Sequence, residues 1–127
     1  MCFMAKATIV FSEDDTLLRA IYVKKFSQAG YEVVPASNGE EALHLVEQKA
    51  PDLLVLDISM PKLDGFQVLE KLPQPRGFPV IMLTNFDSEE YRKRGHELGA
   101  DDFFVKKDMT IRSLLEMVES LLKKAGK

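Results

Sequence analysis

Five short apolar runs, separated by longer segments with helical periodicity, constrain the fold of this chain more than any other feature of its sequence. Runs such as 53–57 (LLVLD) and 80–84 (VIMLT) are too short for helices and are typical of buried strands. The unbroken apolar character of 53–57 indicates that helices cover both faces of its strand. Regular alternation of strands and helices predicts an α/β fold with a five-stranded parallel sheet and right-handed crossovers, although alternation alone leaves the strand order open.

The predicted elements follow one another along the whole sequence. Strands are expected at 6–12, 31–37, 53–57, 80–84 and 101–106, and helices at 14–30, 38–50, 64–72, 88–99 and 110–126. Pro35 indicates that the second strand lies at an edge of the sheet, because proline cannot donate a hydrogen bond to a neighbouring strand. Gly65 is expected to permit a turn that most residues resist. The first helix has apolar residues at helical spacing, namely Leu17, Leu18, Ile21 and Tyr22.

Composition restricts the class of protein and its compartment. A length of 127 residues suits one domain, so a single domain over 1–127 with no output domain in this chain is expected. The net charge of −3 argues against non-specific binding of nucleic acid. Cys2 is the only cysteine, which excludes an internal disulfide and fits a reducing cytosol. No apolar run approaches the roughly 18 residues of a membrane span, so a cytoplasmic protein without membrane insertion is predicted.

Charged and hydroxyl side chains follow four of the five predicted strands at their carboxyl ends, where open parallel sheets bind their ligands. The residues concerned are Glu13, Asp14 and Asp15 after the first strand, Asp57 at the end of the third, Thr84 at the end of the fourth and Lys106 at the end of the fifth. Neighbouring strands lie about 4.8 Å apart. Two carboxylates at such a separation repel by roughly 4 kcal/mol at an effective dielectric near 20, unless a cation relieves them.

These residue types suit a metal ion and a phosphoryl group. Carboxylate oxygens without histidine or cysteine favour Mg²⁺, which also binds phosphate oxygens. Lys106 and Thr84 could hold a phosphoryl group opposite the carboxylates, and Asp57 could itself be the nucleophile that forms an acyl phosphate. The alternative is that each acid caps the helix that follows it. That alternative explains a single aspartate well but the whole set of strand ends poorly.

Four segments in order, SEDD (12–15), LLVLDISMPKLDG (53–65), VIMLT (80–84) and GADDFFVKK (99–107), resemble the receiver domains of two-component response regulators over essentially the whole chain. The resemblance implies a CheY-like, flavodoxin-like (βα)5 fold with strand order 2-1-3-4-5. It also implies a phosphorelay switch rather than an enzyme, with at most self-phosphorylation and self-dephosphorylation activity.

The same resemblance implies a role for each site residue. Asp57 corresponds to the phosphoacceptor. Glu13 and Asp14 correspond to the acidic pair that holds Mg²⁺ together with Asp57 and the backbone carbonyl of Ser59. Glu13 stands where many receivers have aspartate, and its extra methylene would adjust how it reaches the metal.

Two further residues correspond to the switch that reads phosphorylation. Thr84 resembles the hydroxyl that moves toward the phosphoryl group, beside the lysine at Lys106. Phe103 resembles the aromatic switch residue that packs inward when Thr84 moves, and without a hydroxyl it can act only by packing. In the family the fourth helix, fifth strand and fifth helix form the surface that changes. The cations Arg92, Lys93 and Arg94 are expected to be a solvated face, with a partner surface as the alternative.

The resemblance further implies the partners. The phosphoryl donor would be a sensor histidine kinase or a histidine phosphotransfer protein, and the downstream target would be a protein, with no direct contact to nucleic acid. The switch would be a monomer or a phosphorylation-dependent dimer.

Three other functions compete with a phosphorelay switch. A phosphatase of the haloacid dehalogenase type needs a second aspartate two residues after the nucleophile, where this chain has Ser59. A flavin-binding module needs a loop that cradles phosphate after the first strand, whereas the sequence SEDDT at 12–16 would repel phosphate without a cation. An interaction module that is never phosphorylated remains open, although the complete set of site residues argues against it.

Overall fold

Five strands and five helices alternate in the computed structural model, which describes residues 6–73, 76–107 and 110–126. Cys2 lies outside the described residues. The strands are β1 (Thr8–Ser12), β2 (Glu32–Ala36), β3 (Leu53–Asp57), β4 (Val80–Thr84) and β5 (Asp102–Val105). The helices are α1 (Thr16–Gln28), α2 (Gly39–Lys49), α3 (Gly65–Lys71), α4 (Glu89–Glu97) and α5 (Ile111–Lys124). Within these ranges no helix combines the length and hydropathy that a membrane span requires.

The strands form one parallel sheet in the order β2-β1-β3-β4-β5, as the resemblance implies. β2 lies at the edge beside β1, which confirms the position expected from Pro35. The register sets Ser12 beside Leu56, and Thr84 beside Val105. The carboxyl ends of the strands therefore meet at one edge of the sheet, directly before the loops that carry the candidate site.

Helices cover both faces of the sheet, which explains why β3 and β4 are buried at every position. On one face α1 and α5 pack around Ile9, Phe11 and Phe104. On the other face α2, α3 and α4 pack around Val10, Leu54 and other buried residues. α5 turns the apolar stripe of Leu114, Val118 and Leu122 toward the sheet. Continuous apolar strand sequences are the consequence of this two-sided burial.

The buried face of α1 contains only two of the four apolar residues that stand at helical spacing in its sequence. Leu17 is 72% exposed and Ile21 is 37% exposed, whereas Tyr22 and Phe26 are buried and Leu18 is half-buried. The last three residues lie four positions apart and so form one narrow stripe. This stripe packs on β1, where the Tyr22 and Phe11 ring centroids are 4.8 Å apart. Leu17 and Ile21 point about 100° away from that stripe, so the helical spacing of these apolar residues does not by itself identify the buried face.

Gly65 is needed for space and not for an unusual turn. Gly65 is the first residue of α3, and its backbone φ is not positive. A Cβ at this position would lie 2.6 Å from the carbonyl oxygen of Asp57 and 2.9 Å from the Cα of Ile58. The absent side chain therefore lets α3 begin directly against the end of β3.

Candidate functional site

The structure brings three of the predicted strand-end residues into direct contact. The Lys106 ammonium donates hydrogen bonds to Glu13 Oε1 at 2.7 Å and to Asp57 Oδ2 at 2.8 Å. All three side chains are buried, with 9%, 0% and 4% of their area exposed for Lys106, Glu13 and Asp57. One cation is thus shared by two carboxylates from neighbouring strands.

Glu13 is fixed by the first turn that follows β1. Its amide donates to the carbonyl of Ala36 on the edge strand at 3.0 Å. Its second carboxylate oxygen, Oε2, accepts a hydrogen bond from the Asp15 amide at 3.2 Å. The Arg19 guanidinium donates to the Glu13 carbonyl oxygen at 2.8 Å. Arg19 was not predicted, because a lone arginine in the first turns of an amphipathic helix gives no signal that it reaches back to a strand end.

Asp57 is held through both carboxylate oxygens. Oδ1 accepts a hydrogen bond from the Ser59 amide at 3.2 Å, while Oδ2 accepts from Lys106. The backbone beyond the strand is fixed as well, since the Gly65 amide donates to the carbonyl of Ile58 at 2.8 Å. The carboxylate is therefore held in one orientation at the floor of the site.

Burial and charge shift the proton affinities of the site. Burial raises the pKa of Glu13 above its ordinary value, and the neighbouring Asp57 raises it further. Burial also raises the pKa of Asp14, with Glu13 contributing. For Lys106, burial alone would lower the pKa, but hydrogen bonds to Asp57 and Glu13 outweigh it and leave the pKa raised. The site therefore disfavours its full negative charge and favours an added cation.

A divalent cation fits this set of donors. Carboxylate oxygens of Glu13, Asp14 and Asp57 all lie within 4.8 Å of one another. Asp14 is exposed, and an open cavity of about 270 Å³ above the three carboxylates is also lined by Ser59 and Asn85. Oxygen-only ligands, open on one side to water, suit Mg²⁺, which retains several of its waters. The predicted acidic pair and Asp57 are thus brought together, and Asn85 is a lining residue that the sequence did not single out.

Within the described part of the chain, the hydrogen bonds of the Thr84 side chain go to Phe86 and not to Asp57. The Thr84 hydroxyl accepts a hydrogen bond from the Phe86 amide at 3.1 Å and donates to the Phe86 carbonyl at 3.2 Å. Phe103 is buried, with 7% of its surface exposed, beneath Gly95 of α4. The Thr84 hydroxyl therefore makes its hydrogen bonds within the loop that follows β4. The Phe103 ring packs between β5 and α4.

Comparison with known proteins identifies a family over most of the chain. The family model described as "Response regulator receiver domain" matches residues 9–119. "Probable transcriptional regulator ycf27" from Guillardia theta is 39% identical over 122 residues, which cover 96% of this chain and 48% of that protein. "Alkaline phosphatase synthesis transcriptional regulatory protein PhoP" from Bacillus subtilis (strain 168) is 37% identical over 123 residues, covering 96% of this chain and 50% of that protein. The chain spans about half the length of these relatives.

Solved structures agree with the sequence relatives. The Francisella response regulator 1452 receiver domain superposes with a TM-score of 0.87 and 32% identity, covering 94% of this chain and 98% of that one. The BeF3-activated N-terminal receiver domain of Klebsiella pneumoniae RstA gives a TM-score of 0.84 and 29% identity, covering 91% and 97% of the two chains. Both share the sheet and helix arrangement described above.

Proposed function

Because this chain belongs to the family of response regulator receiver domains, we propose that it is a phosphorylation-dependent switch whose acceptor is Asp57. The donor would be a phosphohistidine on a sensor histidine kinase or on a histidine phosphotransfer protein. The observation that carries the proposal is the ion triad of Lys106, Glu13 and Asp57, with Asp14 within metal-binding reach. Such a buried arrangement of like charges is unfavourable for stability alone and is well suited to phosphoryl transfer.

The chemistry is the transfer of one phosphoryl group between two side chains. A carboxylate oxygen of Asp57 forms a bond to phosphorus while the bond from phosphorus to the donor imidazole nitrogen breaks. The electron pair of that bond stays on the imidazole, which regains its neutral form after taking a proton from solvent. The product is an acyl phosphate on Asp57, and no oxidant or further reactant is needed.

Mg²⁺ would be held by Glu13, Asp14 and Asp57, together with the backbone carbonyl of Ser59, as the family resemblance implies. When bound, the ion neutralises charge on the phosphoryl oxygens. The chain supplies the rest of the charge balance. Lys106 already donates to the acceptor carboxylate and could transfer that contact to a phosphoryl oxygen.

The response to phosphorylation is proposed to pass through Thr84 and Phe103, toward the surface formed by α4, β5 and α5. The two relatives described above are named as transcriptional regulators, and we propose that this switch likewise controls the activity of a regulator, through contacts of the receiver with protein partners. A cytoplasmic location fits a phosphoryl donor of this kind. Catalysis would be limited to gain and loss of the domain's own phosphoryl group.

Intact mass after incubation with acetyl phosphate tests the acceptor. The parent should gain one phosphoryl mass with Mg²⁺ and none without it, and Asp57→Ala should gain none. Asp14→Asn should lose most of the modification because it removes an exposed ligand. Asp15→Asn is the matched control, because Asp15 is the neighbouring acid and caps α1 by accepting from the Leu18 amide, a contact that asparagine retains.

A short-lived product would escape detection by mass, so beryllofluoride, a stable mimic of the phosphoryl group, provides a second measurement. Fluorine NMR should show bound beryllofluoride in the parent with Mg²⁺ and none in Asp57→Ala. Absence of both the added mass and bound beryllofluoride in the parent would contradict the proposal and leave an interaction module as the better function.

A further inference from the structure

We propose that the ion pair between Asp87 and Arg92 is a positioning element that holds Phe103 beneath α4, and that it loosens when Thr84 turns toward a phosphoryl group. This inference rests on the proposed function, because it names the residues through which the loop between β4 and α4 transmits the change. A continuous set of contacts from the site to the ring supports it.

The first contact gives the loop two alternative states. A threonine hydroxyl has one proton to donate, and here that proton is donated to the Phe86 carbonyl at 3.2 Å. A phosphoryl oxygen on Asp57 would compete for the same proton. Thr84 therefore cannot serve both partners, and its turn toward the phosphoryl group releases the carbonyl of Phe86.

The second contact joins this loop to α4. Asp87 follows Phe86 directly, and its Oδ1 accepts a hydrogen bond from Arg92 Nε at 2.9 Å. Movement of the Phe86 peptide displaces the backbone that carries Asp87. The ion pair thus holds the loop and the first turns of α4 together only while Thr84 keeps its present hydrogen bonds.

The third contact reaches the aromatic ring. The guanidinium carbon of Arg92 lies 5.8 Å from the ring centroid of Phe103, within the range of a cation–π interaction. Three residues later, a Cβ at Gly95 would overlap the same ring, so the α4 backbone rests directly on it. Phe103 is enclosed by α4 and covered by Arg92, and a shift of either changes the space that the ring can occupy.

The same helix offers a matched control pair. Arg94 lies 3.8 Å from Glu70 and its guanidinium carbon is 4.4 Å from the Phe66 ring centroid. The chemistry is the same, a cation between a carboxylate and an aromatic ring. Glu70, however, belongs to α3 and not to the loop that follows Thr84. Breaking this second pair removes a longer ion pair of the same type from α4 and leaves the pair of Asp87 and Arg92 intact.

Fluorine NMR of protein labelled with 4-fluorophenylalanine tests the inference. The sequence has eight phenylalanines, and loss of one resonance in Phe103→Leu assigns the reporter. Asp87→Asn removes the negative charge of the ion pair without altering any group that touches the ring. We expect it to move the Phe103 resonance of unmodified protein in the direction in which phosphorylation moves it in the parent. The ratio of the two Phe103 states should change about two- to fivefold. A change of that size corresponds to the free energy of an exposed ion pair.

Further variants distinguish the positioning of Phe103 by the ion pair from a general loosening of α4. Glu70→Gln should leave the Phe103 resonance where it is in the parent. Arg92→Lys keeps a charge for Asp87 but loses the flat guanidinium, so it should give a smaller change than Arg92→Ala.

The possible failures are distinguishable when the same samples are analysed by intact mass. If the parent gains a phosphoryl group and Phe103 moves, while Asp87→Asn has no more effect than Glu70→Gln, this inference is overturned and the proposed function stands. If the parent gains no phosphoryl group and binds no beryllofluoride, the proposed function fails. The proposed loosening of the ion pair between Asp87 and Arg92 on phosphorylation then fails with it.

Discussion

At the scale of single residues, Lys106 balances more negative charge than it carries. It donates to two buried carboxylates, and a third carboxylate, on Asp14, lies within 4.8 Å of both. Removing one partner of a buried ion pair leaves an uncompensated charge and is strongly destabilising. The stability of the domain without metal should therefore depend on this one ammonium group.

Lys106→Met tests that dependence. Without Mg²⁺ we expect the free energy of unfolding to fall by roughly 3 kcal/mol, because Glu13 and Asp57 would face each other unpaired. Urea titration followed by circular dichroism measures the change. Lys107→Met is the control, since Lys107 is exposed and should change stability by no more than about 0.5 kcal/mol. Equal losses in the two variants would contradict the role given to Lys106.

Glu13→Gln should have the opposite sign. Burial and the nearby Asp57 raise the pKa of Glu13, so its ionised form is unfavourable in the fold. Glutamine keeps the size of the side chain, leaves Lys106 paired with Asp57 and removes one negative charge. At neutral pH without Mg²⁺ the free energy of unfolding should therefore rise, because the folded state no longer holds an unfavourable buried charge at this position. A loss of stability as large as that of Lys106→Met would show that the role of Glu13 is to stabilise the fold and not to bind the metal.

The sequence predicted which charged residues meet but not how they are paired. Parallel strands bring their carboxyl ends together, so the approach of Glu13, Asp57 and Lys106 follows from the alternation of elements and the strand order that the resemblance implied. The sharing of one ammonium between two carboxylates depends on side-chain lengths and burial. The contact of Arg19 with the Glu13 carbonyl and the hydrogen bonds of Thr84 to the Phe86 backbone are likewise properties of local geometry.

At the scale of elements, the junction of β3 and α3 depends on close approach of two backbones. The Gly65 Cα lies where any Cβ would press on the Asp57 carbonyl and the Ile58 Cα. Backbone atoms at the end of a buried strand cannot move aside as a flexible side chain can. The start of α3 and the orientation of the acceptor aspartate are therefore linked.

Gly65→Ala should damage stability and metal binding together. We expect a loss of about 1–3 kcal/mol from overpacking and a weaker response to Mg²⁺, because the end of β3 must shift. Gly77→Ala is the matched control, since a Cβ at Gly77 meets no heavy atom within 4 Å. Unfolding curves of both variants with and without Mg²⁺ measure both effects. A stable Gly65→Ala with the parent's Mg²⁺ response would contradict this account.

Element boundaries were predicted well where apolar runs are continuous and less well on amphipathic helices. β3 and β4 have the predicted bounds because both faces are buried. On α1, two apolar stripes were available in the sequence, and only packing against Phe11 selects the one that contains Tyr22 and Phe26. The composition of a helix does not say which of two adjacent stripes faces the sheet.

At the scale of the whole molecule, the acidic site should couple metal binding to folding. A ligand that binds only the folded protein raises the free energy of unfolding, by about 2.7 kcal/mol when its concentration is 100 times its dissociation constant. The unfolded chain separates Glu13 from Asp57 by more than forty positions, so it offers no equivalent site. Mg²⁺ should therefore act on the stability of the entire domain.

Equilibrium unfolding in urea at several Mg²⁺ concentrations and constant ionic strength measures this coupling. Above the dissociation constant, each tenfold increase in Mg²⁺ should add about 1.4 kcal/mol for a single site. Asp14→Asn should remove most of this dependence while changing stability without metal by no more than about 0.5 kcal/mol, because Asp14 is exposed. Asp15→Asn should keep the parent's dependence. If the free energy of unfolding of the parent does not change with Mg²⁺ concentration, the folded state gains nothing from the ion. If Asp14→Asn shows the same dependence on Mg²⁺ as the parent, the ion does not bind at Asp14. Either result would show that the three carboxylates do not form a metal site.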